Sequence, residues 1–78
     1  MAKQTNVSKK DPLLLFGSNI ARLRKELGLS QEQLALESGL ARSYMGGVER
    51  GQRNIALINI CKLADALKLD PSELLKFK

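Results

Sequence analysis

Ser30 and Gln33, at the head of SQEQLALESGLARSYMGGVERG, constrain this chain more than any other pair. A serine hydroxyl accepts from the backbone N–H at the third helical position. A glutamine there reaches back to the serine's own N–H, so two orphan donors at a helix start are satisfied. Leu29 and Leu34 flank the pair at the spacing of a hydrophobic staple. A short helix therefore starts at Gln31 and stops near Ser38, where Gly39 supplies the turn. After Leu40 a second short helix begins around Arg42 and runs to about Arg50, where Gly51 ends it. Two short helices across a tight glycine turn make a helix-turn-helix.

The chain has 78 residues, room for one domain with a modest core, and oligomerisation commonly supplements a core of that size. Many Leu, Ala, Lys and Glu with few β-branched runs favour an all-α fold. The net charge of +5 suits a polyanion such as DNA, although many small soluble proteins are basic. Cys61 is the one cysteine and there is no histidine, which excludes an internal disulfide and argues against a zinc site. The longest apolar run, Leu13 to Phe16, is too short to span a bilayer, and no signal-peptide core follows the first lysines. A soluble, cytoplasmic protein with no metal or other cofactor is expected.

Residues 1–10 read as a polar, basic tail, either frayed or an arm reaching along DNA. Asp11 and Pro12 start the first helix as carboxylate cap and first-turn proline. Phe16, Ile20, Leu23 and Leu27 repeat on its inner face, and Gly28 ends it. In the helix-turn-helix, Leu34, Ala35, Met45 and Val48 point inward, leaving Gly46 and Gly47 on or beside the outer face. Asn54 can cap a fourth helix with the inward stripe Leu57, Ile60, Leu63, Ala64 and Leu67, beside which Cys61 reads as an inert packing thiol. Asp70, Pro71 and Glu73 signal a short fifth helix carrying Leu74 and Leu75. The domain is thus expected over residues 11–78.

SQEQLA, SGL, RSYMGGVERG and RN, at this spacing, resemble the Xre-type helix-turn-helix family, which includes the phage lambda repressor and Cro. RSYMGGVERGQRN is most similar to the controller proteins of restriction–modification systems. The resemblance runs from about Phe16 to Leu75 and implies a five-helix, lambda-repressor-like DNA-binding domain.

The resemblance also implies roles for single residues. Arg42 and Ser43 align with base-reading positions at the start of the recognition helix. The arginine fork matches the two major-groove acceptors of guanine, a pairing worth roughly 1–3 kcal/mol of discrimination. Gln31 aligns with a phosphate contact at the second helix's N-terminus. Tyr44 aligns with a DNA contact, against an equal case for a tyrosine covering the core edge. Arg53 and Asn54 match the loop that meets backbone or bases, although Asn54 also reads as a cap. Arg24 and Glu49 match an ion pair joining the first and third helices.

Two positions depart from the family pattern. Ala41 stands where a capping residue is common and cannot satisfy free N–H groups. Gly47 stands where relatives carry a longer base-reading side chain. Sequence choice then leans on Arg42, Ser43, Arg53 and DNA deformability, or the glycines let the backbone approach DNA closely.

No histidine base, phosphate-binding glycine loop or metal-ligand spacing supports catalysis. The expected function is a sequence-specific transcription regulator binding double-stranded DNA as a homodimer on a pseudo-palindromic operator. Ile58, Leu74, Leu75 and Phe77 are the candidate dimer surface, and no small-molecule effector is expected. The alternative is an antitoxin-like or partner-binding regulator of the same fold.

Overall fold

A computed structural model describes residues 11–77. The tail expected over residues 1–10 lies outside them. Five helices follow one another: α1 (Pro12–Glu26), α2 (Gln31–Ser38), α3 (Arg42–Glu49), α4 (Leu57–Leu67) and α5 (Pro71–Leu74). No strand occurs among the described residues.

Local chemistry accounts for most boundaries. Asp11 Oδ1 accepts from the Leu13 N–H at 2.9 Å, and Pro12 follows as the first helical residue. At α2, Ser30 Oγ accepts from the Gln33 N–H at 3.0 Å, while Gln33 Oε1 accepts from the Ser30 N–H at 2.8 Å. Gly39 ends α2 at φ 75°, a left-handed conformation that glycine adopts without a Cβ penalty.

Two caps differ from expectation. α4 starts at Leu57 behind Ala56, with no side-chain cap, so Asn54 lies upstream of the helix and caps nothing. Asp70 precedes α5, but its carboxylate makes no cap bond; its carbonyl accepts from the Glu73 N–H at 2.9 Å instead. The far end of α5 is tied from outside. Buried Asn19 on α1 donates through Nδ2 to the Leu74 carbonyl at 3.0 Å and the Glu73 carbonyl at 3.2 Å, supplying donors that a four-residue helix lacks.

One core joins the helices: Phe16, Ile20, Leu34, Ala35, Met45, Val48, Ile60, Leu63, Ala64, Leu67 and Leu74. Leu27 and Leu57, expected inside, are exposed, as is Cys61. Leu27 is the residue that closes α1, where the chain turns away, and Leu57 stands at the opening of α4.

The contact of α1 with α3 sets the direction of the latter. It closes at Gly17, where a Cβ would press on the Val48 carbonyl oxygen and lie 2.6 Å from that of Glu49. Only glycine permits this approach of one helix to the other's backbone.

Candidate nucleic-acid interface

The interface is built on α3. Its inner residues Met45 and Val48 are sunk in the core, which turns Arg42 and Ser43 outward at its N-terminus, both exposed. Ala41 provides no cap bond, so the first N–H groups of α3 have no side-chain acceptor there. A helix start with free donors and positive partial charge favours an anionic partner.

Behind this face lies a buried polar knot. Arg24 Nε donates to Glu49 Oε2 at 2.7 Å, and Arg24 Nη2 donates to Glu49 Oε1 at 2.9 Å. Arg24 Nη1 also donates to the Leu29 carbonyl at 2.8 Å, tying the turn between α1 and α2 to the same guanidinium. Gln31 Nε2 donates to Glu49 Oε1 at 2.9 Å. The Arg24 and Glu49 side chains are 11 % and 5 % exposed, so the bonds are shielded from water. The hydrogen bond to Glu49 raises the Arg24 pKa, opposed by burial and assisted by the carboxylate's charge. The Glu49 charge is offset by the Arg24 guanidinium it pairs with.

Gln31 is thus held in place by Glu49 and lines an open polar hollow with Arg42, Ser43, Gly46 and Arg50. The ion pairs among the described residues are Arg22–Glu26, Arg24–Glu49 and Lys76–Glu73, and none involves Arg42, Arg50 or Arg53.

Gly46 and Gly47 lie on the outer side of α3 but are out of water, because arginine side chains cover them. A Cβ at Gly46 would lie 3.0 Å from Arg50 Nη1, and one at Gly47 would lie 3.0 Å from Arg53 Cγ. Gly47 therefore lies under Arg53, and backbone approach to DNA at that point is screened by a side chain. The Arg53 guanidinium also stands over the Tyr44 ring, 5.9 Å from its centroid. Tyr44 is half-buried, and its hydroxyl accepts from Asn59 Nδ2 at 3.2 Å. The ring edges the core, as one of the two readings of Tyr44 has it, and also supports a surface arginine. Asn54 is exposed in the loop beyond Arg53.

The four candidate dimer residues separate. Ile58 and Leu75 are exposed at 67 % and 50 %. Leu74 is fully buried in the core and is unavailable to a partner; Asn19 draws the carbonyls of Glu73 and Leu74 onto α1 and turns this side chain inward. Phe77 is half-buried, packed edge-on against Phe16 at 6.3 Å between centroids. Leu57 and Cys61 add to the exposed apolar surface of α4 near Ile58.

Sequence reasoning passed over three residues of this region. Arg50 follows Arg42 and Gly46 at steps of four, a spacing that places all three on one helix face. Gly17 is an isolated glycine inside a helical pattern, a signal of close packing. Asn59 carries no signal in the sequence.

The Helix-turn-helix family model HTH_3 matches residues 20–74. This chain belongs to that family. It is a DNA-binding regulator of transcription that resembles restriction–modification controller proteins. It is 45% identical over 65 residues to Control protein C.BamHI of Bacillus amyloliquefaciens, covering 82% of this chain and 80% of that protein. The controller protein C.AhdI from Aeromonas hydrophila superimposes with a TM-score of 0.79 at 61% identity, over 80% of this chain and 94% of that one. The biofilm master regulator SinR, solved in complex with DNA, gives a TM-score of 0.76 at 32% identity, over 80% of this chain and 100% of that one. Among the described residues, no helix is long and apolar enough to cross a membrane.

Proposed function

We propose that two copies of this chain bind a pseudo-palindromic operator, each placing α3 in the major groove of one half-site, in the manner of a controller protein. The observation that carries this reading is the exposed pair Arg42 and Ser43 at the uncapped start of a helix whose opposite face is fixed in the core. Arg42 reads guanine and Ser43 assists. Gln31, Arg53 and Asn54 grip the strand on either side, with Tyr44 supporting Arg53 and Gly47 forming the bed beneath it. Ile58 and Leu75 supply exposed apolar surface for the partner copy. One short helix reads only a few base pairs, and a two-fold pair multiplies that discrimination. Regulation then follows from occupancy, in the cytoplasm, without a catalytic step, cofactor or small-molecule effector. SinR was solved with DNA, and the same fold here carries this surface.

Gel shift with genomic fragments against random duplex, at two salt concentrations, tests the proposal. One fragment should bind well above random DNA, with affinity falling steeply as salt rises. Arg42→Ala should erase the preference, and Gln31→Ala should weaken every duplex alike. A preference that survives Arg42→Ala contradicts the base-reading role.

A further inference from the structure

We infer that Arg50 is a second base-reading residue, reaching the major-groove edge of guanine across the gap left by Gly46. The inference rests on the reading above, in which α3 enters the groove.

Arg42 and Gly46 of α3 and Arg50 at its C-cap follow one another at steps of four along one helix face. Side chains lean toward the N-terminus of a helix. That lean carries the Arg50 guanidinium back over Gly46, where Nη1 lies 3.0 Å from the place a Cβ would occupy. Any other residue at 46 would have to shift it, alanine by a few tenths of an ångström and a longer side chain further. Gln31 Oε1 stands 3.5 Å from the same point, on the other side of the gap.

Two arginines therefore face one hollow, together with Ser43 and Gln31. Neither is in an ion pair among the described residues. Arg50 Nε donates to Gln52 Oε1 at 3.2 Å, which steadies the side chain and leaves the terminal nitrogens as donors. Two like charges around one hollow favour a partner made of acceptors. Guanine O6 and N7 offer two acceptors side by side, matched to a guanidinium fork. A phosphate is the competing partner. It is disfavoured because the Arg50 guanidinium lies back along α3 over Gly46, on the face carrying Arg42. The missing side chain at 46 is thus replaced by one from a full turn further along the helix.

The test is selection of sites from randomised duplex by the full chain and by Arg50→Gln, Arg42→Ala and Gly46→Ala, each checked for helical content. Arg50→Gln should lose preference at one base pair per half-site, distinct from the pair lost by Arg42→Ala. Its affinity for the wild-type site should fall roughly tenfold or more, with binding to random duplex nearly unchanged. Gly46→Ala should relax the same base pair as Arg50→Gln. If Arg50→Gln weakens all duplexes equally and lowers the salt slope by about one, Arg50 holds a phosphate and the inference is wrong. An unchanged motif and affinity overturns it as well. Wild-type protein that selects no motif removes this inference together with the reading beneath it; a wild-type motif that survives Arg50→Gln removes this inference alone.

Discussion

Arg24 on α1 and Glu49 at the end of α3 meet through two N–H···O bonds of 2.7 and 2.9 Å, with both side chains almost out of water. The pair is a strut: it holds α3 to the longest helix of the domain, and Gln31 braces it from α2.

Arg24→Ala should cost about 3–5 kcal/mol of stability, because it leaves a buried carboxylate with Gln31 alone. Urea unfolding measures this. A loss below about 1 kcal/mol would show that the pair contributes no more than a surface contact. The pH dependence follows from the raised Arg24 pKa. A base whose pKa is higher in the folded state stabilises fully below its unfolded pKa, and that contribution fades only as pH climbs through the folded value. The guanidinium's share is therefore constant through neutral and mildly alkaline pH.

Gly17→Ala should destabilise the fold by roughly 1–3 kcal/mol through overpacking, since the new Cβ meets the Val48 and Glu49 carbonyls. It should also weaken DNA binding although residue 17 is buried between α1 and α3, because α3 must move to admit the methyl group. Thermal unfolding together with gel shift measures both. Normal stability would mean that α1 and α3 separate freely.

Leu74 and Ile58 should behave oppositely. Leu74→Ala opens a cavity in the core and should cost about 2–5 kcal/mol. Ile58→Glu should leave monomer stability near wild type and shift sedimentation toward a single copy. A dimer that withstands Ile58→Glu moves the partner surface elsewhere.

Tyr44→Ala removes the ring beneath Arg53 and the acceptor of Asn59. It should weaken operator binding more than Tyr44→Phe, which keeps the ring and loses only the hydroxyl. Equal effects would show that the hydroxyl, and not the stack, matters.

The parts of the fold written locally were legible in the sequence. Ser30 with Gln33, Asp11 with Pro12, and Gly39 each mark a boundary through bonds or dihedrals within a few residues, and the structure shows those boundaries. What depended on distant partners was not legible. Leu74 ends a helix of four residues and Leu75 follows as its C-cap, a stretch too short for a periodic pattern, and Asn19 from α1 governs how that helix sits. Asn54 has the chemistry of a cap, but the loop runs on to Ala56 before the chain turns helical. The glycines at 46 and 47 suggested a bare helix face. Arg50 comes over Gly46 by helical spacing, whereas only the fold brings Arg53 back over Gly47.

Methylation interference at guanine N7 tests the placement of α3 most directly, because N7 lies in the major groove. On the selected operator, methylation of a guanine in each half-site, about one helical turn apart, should block the wild-type protein. Arg42→Ala should lose that sensitivity. Interference that persists unchanged in Arg42→Ala, or none at any major-groove guanine, would contradict the account.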